Sequence, residues 1–284
     1  MSPAPDRYAV LGNPVAHSQS PFIHAEFARQ TVQNIEYTRV LCAMDGFADA
    51  VRGFAESGGR GCNVTIPFKF HSAALARQVT SRAALAQAAN VLCFDSEGWL
   101  ADNTDGIGLV RDLQKNAGTA LADRRVLLIG AGGAAAGVLG PLVEARPALI
   151  HVANRTPDKA VALVQRHAAL AATCGVALSA GGLDDAGAAY DVVLNGSASS
   201  LGGVAAPVHE RVLKPGTLAL DLMYGDAARP FMAWAEARGA VPRDGLGMLV
   251  EQAAEAFFIW RQVMPETATV LQRLRRHLDA ARRA

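Results

Sequence analysis

The apolar positions of this chain fall in short runs separated by polar, helix-spaced stretches. YAVLG (8–12), IEYTRVL (35–41), CNVTI (62–66) and NVLCF (90–94) are apolar or β-branched runs of strand length. Between them, SPFIHAEFARQ (20–30) and FADAVRGFAES (47–57) place their apolar side chains at helical spacing. Such alternation predicts an α/β fold with a parallel or mixed sheet covered by helices. The clearest strand, RRVLLIG (124–130), leads through the helical AGGAAAGVLGPLVEA (131–145) to a second strand, ALIHVANRT (148–156), and a second helix. Further strands are expected in YDVVLNG (190–196) and TLALDLM (217–223), and two amphipathic helices close the sequence. A change of texture near Asp105 and the RDGLGM turn near Gly245 predict two domains. One is discontinuous, residues 1–105 with 245–284, and the other spans 106–244.

Composition narrows the classes. The 284 residues are 51% hydrophobic and 19% charged, with a formal net charge of +1, which suits a compact chain with a substantial core. That balance gives no global field toward nucleic acid or an anionic membrane. The basic RLRRHLDAARR end reads as a solvated helix C-terminus. Cys42, Cys62, Cys93 and Cys174 are widely spaced, so reduced thiols in a cytoplasmic protein are expected, with neither a disulfide frame nor a metal site. The N-terminus lacks the basic and apolar regions of a signal peptide, and no apolar run is long enough to span a bilayer.

The glycine-rich stretch after the clearest strand carries specific chemistry. Gly130, Ala131, Gly132, Gly133 and Ala134 join a strand to a helix, where small residues let the backbone approach a pyrophosphate at a helix N-terminus. The second strand ends about twenty residues on, as a Rossmann dinucleotide fingerprint requires. Asn154, Arg155 and Thr156 follow it, with Lys159 one helical turn later. An arginine there welcomes a 2′-phosphate, so NADP is the expected cofactor. Asp158 is the dissenting charge and leaves NAD as a minor alternative. Thr156 is equally expected to cap the helix that begins at Pro157.

Small polar side chains also gather at the ends of the predicted strands. Ser18 and Ser20 alternate, so both hydroxyls face one way if that segment is extended. Asn63, Thr65 and Lys69 lie where CNVTIPFK runs from a strand into a proline; Asn90 precedes another strand; Asn103, Thr104 and Asp105 precede a helix; Tyr224 and Gln252 stand in DLMY and LVEQ. Each alone reads as an ordinary cap, turn or solvated group, and it is their number that suggests a polar ligand. No lysine or arginine is obviously placed beside Ser18 and Ser20.

Together GNPVAHSQSPFIH, NVTIPFK, DNTDG, GAGGA, NRT, DLMY and DGLGMLVEQAA resemble the shikimate dehydrogenase family, in order and over nearly the whole chain. The resemblance implies an N-terminal substrate domain, an NADP-binding Rossmann domain, and C-terminal helices that return to the first. It implies NADP-linked reduction of 3-dehydroshikimate to shikimate, in aromatic amino-acid biosynthesis, by a monomer or homodimer. Lys69 and Asp105 match the family's catalytic pair. Ser18, Ser20, Asn63, Thr65, Asn90, Tyr224 and Gln252 match its substrate positions. The Gly130–Ala134 loop, Asn154, Arg155, Thr156, Lys159 and Gly245 match its cofactor side. On this reading the Lys69 ammonium protonates the oxygen of a ketone that receives hydride, and Asp105 either orients the lysine or binds a substrate hydroxyl. The chain departs from the family pattern at Val91, at NGSASS (195–200) and at Ala136, which bears on substrate breadth and cofactor affinity. The alternatives are a paralogue acting on quinate or another cyclohexene polyol acid, and a non-catalytic ligand-binding homologue.

Overall fold

The computed structural model describes residues 4–96, 98–197, 199–202 and 205–283. The chain divides into two compact units, one formed by Met1–Gly108 with Val250–Ala284 and the other by Leu109–Leu249. In chain order the elements are β1 (Asp6–Gly12), α1 (Ser20–Thr31), β2 (Ile35–Leu41), α2 (Phe47–Glu56), β3 (Gly59–Val64), α3 (Lys69–Ser72), β4 (Gln78–Val79), α4 (Ser81–Ala86), β5 (Val91–Cys93), β6 (Leu100–Asp102) and α5 (Asp105–Arg111). They continue as β7 (Arg125–Ile129), α6 (Gly133–Glu144), β8 (Leu149–Ala153), α7 (Pro157–Cys174), β9 (Ala177–Gly181), β10 (Val192–Asn195), β11 (Leu218–Asp221), α8 (Arg229–Glu236), β12 (Val241–Arg243), α9 (Leu246–Arg261) and α10 (Ala268–Arg283).

The first unit holds a mixed sheet of order β2-β1-β3-β5-β6-β4. β1 runs parallel to β2 and β3, whereas β5 is antiparallel to both β3 and β6. β3 begins earlier than its apolar run suggests and ends at Val64, although the Thr65 amide still reaches the Leu11 carbonyl of β1 at 2.9 Å. A turn closed by the Phe68 amide on the Thr65 carbonyl then puts Lys69 at the start of α3, and not on the strand itself. Phe47 and Phe68 stack at 4.6 Å, and Val51, Leu92 and Ala101 are fully buried around them. Each such aliphatic or aromatic side chain contributes about 1.5–3 kcal/mol.

Helix α9 packs on this sheet through Trp260, which stacks on Tyr8 at 4.6 Å and donates its indole N–H to the Leu92 carbonyl at 3.1 Å. The approach requires Gly61, since a Cβ there would lie 2.6 Å from the indole nitrogen. Arg261 adds an ion pair with Asp6 and a 2.8 Å bond to Gln33.

The second unit is a fully parallel sheet of order β12-β11-β10-β7-β8-β9. The order reverses at β7, the switch point where doubly wound sheets bind ligands at the strand C-termini. β7 and β10 are buried along almost their whole length, and Phe231 of α8 closes one face.

His24 of α1 is fully buried, and burial drives its imidazole down to about 3, opposed only in part by the Asn63 amide beside it. Unfolding frees this ring to take a proton near its ordinary value of 6.5. Its contribution is therefore fully present above pH 6.5 and is withdrawn as pH falls toward 3, by up to about 1.4 kcal/mol per pH unit. His151 and His167, both lowered by burial, act in the same direction. Denaturation midpoints measured from pH 7 to 4 should fall, and His24→Phe should flatten that slope by about one proton; an unchanged slope would remove His24 from the account.

Candidate functional site

In the first unit, the polar side chains gather around Asn90. β3 and β5 pair so that Asn63 faces Val91, which brings Asn63 next to Asn90 at the start of β5. Asn103 holds the turn into α5, accepting the Asp105 amide at 3.1 Å and donating to the Ala88 carbonyl at 2.9 Å. Asn90 accepts the Thr104 amide at 2.8 Å. Its own amide group lies 3.0 Å from each of Thr104 Oγ1, Asp105 Oδ1 and Gln252 Oε1. Two protons therefore serve three acceptors, and the Thr104 hydroxyl, 3.3 Å from Gln252 Oε1, can supply the third bond.

Lys69 Nζ donates to Asp105 Oδ2 at 2.6 Å, with the lysine side chain 14% exposed and the aspartate 6%. The two oxygens of Asp105 thus face an ammonium and an amide. The backbone of Lys69 is fixed as well, because its carbonyl accepts from the Ala89 amide and from Ser72 at 2.9 Å each. Behind this group, Arg82 bridges the buried Asp102 (2.6 Å) and Glu255 (3.2 Å), and Asp102 also accepts from Thr80 at 2.6 Å. Breaking such a buried pair on one side is strongly destabilising.

Ser18 and Ser20 meet, but not on an extended segment. Ser20 is the first residue of α1, and the turn at Gln19 brings Ser18 Oγ to 3.2 Å from Ser20 Oγ. The Ser18 carbonyl is gripped by Arg39, through Nε at 3.0 Å and Nη2 at 2.6 Å. A cation therefore stands at this edge after all. It comes from the β2 strand, 21 residues away, where local inspection around the serines does not reach. Thr65 is half-buried just after β3.

In the second unit, Gly130 takes φ +108°, and a Cβ there would lie 2.9 Å from Gly196 carbon and oxygen, so both φ and space demand glycine. Gly132 differs: it is the N-cap of α6, and a Cβ on it would meet nothing within 4 Å. The loop from Ala131 through Gly133 and Ala134 thus leaves open space above a helix N-terminus, which fits a phosphate. Asn154 is half-buried and donates to the Thr156 carbonyl at 2.9 Å. Arg155, Thr156 and Lys159 are exposed, and Arg155 and Lys159 form no ion pair among the described residues. Thr156 occupies the N-cap of α7 without the expected side-chain bond; the Lys159 amide bonds its backbone carbonyl at 3.1 Å instead. These residues fit a dinucleotide with an added phosphate.

The NGSASS loop is tied down from below. Ser200 donates to the fully buried Asp221, Asn195 bonds the same Asp221 oxygen at 3.0 Å, and Ser197 donates to Asn195 at 2.7 Å. Burial raises the Asp221 carboxyl, with Ser200, the Met223 amide and Asn195 opposing. Ala198 lies outside the described residues. Gly245 donates its amide to the Met223 carbonyl at 2.8 Å and packs against the Leu222 carbonyl, too close for any side chain. Tyr224 follows β11 in this unit and is half-buried. Tyr37 and Arg39 are the participants that sequence reasoning passed over, because both read as ordinary strand residues; Thr104 stood among the polar positions expected ahead of α5.

Fold and site define a two-unit α/β protein with a parallel dinucleotide-type sheet and a polar cluster centred on a lysine–aspartate pair. Residues 10–92 match the family model of the shikimate dehydrogenase substrate binding domain, 112–230 that of shikimate / quinate 5-dehydrogenase, and 245–275 that of the shikimate 5'-dehydrogenase C-terminal domain. A shikimate dehydrogenase (NADP(+)) from Methylibium petroleiphilum is 61% identical over 98% of this chain and 97% of its own. A crystal structure of an Ael1 enzyme from Pseudomonas putida superposes with a TM-score of 0.86 at 43% identity, covering 95% of this chain and 98% of that one. Shikimate 5-dehydrogenase from Thermus thermophilus in complex with shikimate gives 0.81 at 29% identity, over 96% and 99%. The chain belongs to the shikimate dehydrogenase family.

The geometry of the cluster depends on Gly108, where α5 meets α9: a Cβ there would lie 2.6 Å from Gln252 Cβ and 2.7 Å from its backbone nitrogen. Gly108→Ala should cost about 1–3 kcal/mol in urea unfolding through overpacking and displace Gln252 from Asn90. A variant as stable as the parent would show that the helices part without cost.

Proposed function

We propose that this protein catalyses the reversible NADP-linked interconversion of shikimate and 3-dehydroshikimate. The observation that carries the reading is the Lys69–Asp105 contact at 2.6 Å, in a chain 61% identical end to end to a shikimate dehydrogenase (NADP(+)). When bound, the cofactor supplies or removes hydride. In the reductive direction Lys69 gives its proton to the ketone oxygen as the carbon is reduced, and the neutral amine is then reprotonated from solvent. Before transfer, the same ammonium stabilises the charge that develops on that oxygen.

Asp105 keeps Lys69 in place through Oδ2 and is itself held through Oδ1 by Asn90, so the proton donor is oriented before any ligand arrives. Asn63, Thr65, Asn90 and Gln252 present amide and hydroxyl groups to the ring hydroxyls of the substrate. Ser18 and Ser20 receive its carboxylate, with the Arg39 charge close behind. Arg155 and Lys159 hold the 2′-phosphate, and the glycine loop holds the pyrophosphate. A cytoplasmic setting accords with the four free cysteines.

The test is steady-state oxidation of shikimate with NADP and with NAD, quinate run in parallel. Rapid turnover of shikimate with NADP is expected. Lys69→Ala should lower kcat by about 10²–10⁴-fold with the KM for NADP little changed. Arg155→Ala should reduce kcat/KM for NADP by about tenfold and leave the value for NAD nearly constant. Turnover of quinate but not shikimate, or undiminished activity in Lys69→Ala, would overturn the reading.

A further inference from the structure

We propose that Tyr37, on β2, is a positioning residue that holds the Asn63 side chain through a single hydrogen bond. It thereby sets which face of the Asn63 amide a ligand meets. The inference rests on the substrate site proposed above and assigns that site a residue outside it.

The direction of this bond follows from the far side of the Asn63 amide. The Asn90 backbone carbonyl accepts the Val64 amide at 2.8 Å and Asn63 Nδ2 at 3.2 Å. A carbonyl can only accept, so the NH₂ of Asn63 is turned toward it and Oδ1 is turned toward Tyr37. The Tyr37 hydroxyl lies 2.6 Å from that Oδ1 and must therefore be the donor. Its single proton is then committed, and its lone pairs face its other neighbours. Separately, the Ser18 hydroxyl donates to Ser20 at 3.2 Å.

The surroundings keep Tyr37 in this role. Its ring stacks on His24 at 4.2 Å and 6°, and it tilts against Trp260 at 6.3 Å. Among the described residues neither ring nitrogen of His24 forms a hydrogen bond, so the imidazole wedges the phenol without competing for its proton. Desolvation holds the hydroxyl well above its ordinary value and keeps it a donor. Arg39, two residues along the same strand, fixes the Ser18 carbonyl, so β2 holds both Asn63 and the Ser18 turn.

With Tyr37 in place, Asn63 has one N–H left for a ligand and offers it to an acceptor oxygen. Without the phenol, the Asn63 amide loses the bond that fixes its Oδ1.

Tyr37→Phe retains the ring and its stack on His24, so the variant should fold and melt within a few degrees of the parent. Its KM for shikimate should rise by about tenfold, with kcat changed by less than about threefold and the KM for NADP constant. In a double-mutant cycle with Asn63→Ala, the two losses should be strongly sub-additive, because both remove the same bond. An unchanged shikimate KM, additive losses, or a lowered melting temperature with both KM values raised would overturn the proposal. Turnover by the parent reports separately on the proposed function. Independently of any substrate, NMR should show exchange protection of the Asn63 side-chain amide in the parent and its loss in Tyr37→Phe. Equal protection in both would also overturn the proposal.

Discussion

Asn90 is the residue on which the polar cluster hangs. Its side chain joins the end of a sheet, the turn into α5 and the middle of α9, three segments distant in the sequence. An amide suits this task because it carries donors and an acceptor in one rigid plane, and here every one of them is used. A carboxylate would face Asp105 with a like charge, and an apolar side chain would leave the Thr104 amide and two buried oxygens unpaired. The orientation of Asp105, and through it the direction of the Lys69 ammonium, is inherited from that plane.

The two units solve different problems with similar parts. The parallel sheet delivers open space at a helix N-terminus, where Gly132 has no packing reason to lack a side chain. The mixed sheet delivers a dense arrangement in which glycines are required by contact: Gly61 under Trp260 and Gly108 under Gln252. Glycine thus leaves open space at Gly132 and lets protein approach protein at Gly61 and Gly108, as it also does at Gly130 and Gly245. The chemistry is divided in the same way, with exposed cations beside the open loop and nearly buried ones within the dense cluster.

How much of this was legible in the chain depended on the range of the interaction. β7, β8, β10 and β11 sit within their apolar runs, because buried strands announce themselves by composition alone, and β2, an edge strand without a buried residue, coincides with its β-branched and aromatic run. β9 (ALSAG) and the two- and three-residue β4 and β6 were not anticipated: they lie at or near a sheet margin and owe their form to a neighbour. The serines illustrate the same limit. Alternate spacing suggested an extended segment, but Pro21 at the first helical turn favours a helix start, and the hydroxyls meet across a turn instead. The Arg39 grip and the Tyr37 bond depend on the register of β2 beside β1, which no local motif encodes.

The composition of the first unit has a consequence for the order of events at the ribosome. Its sheet is complete once residue 108 has emerged, but Trp260, Arg261 and Gln252 are made only after the whole of Leu109–Leu249. At about 5–20 residues per second, that interval is on the order of ten seconds. Throughout it, the Leu92 carbonyl, the Asp6 carboxylate and the Asn90 amide lack partners they have in the finished protein. The later unit, being continuous, can close before the earlier one. The nascent chain therefore spends its synthesis with the lysine–aspartate half unfinished, exposed to proteases and to other nascent chains, and dependent on its last helices for protection.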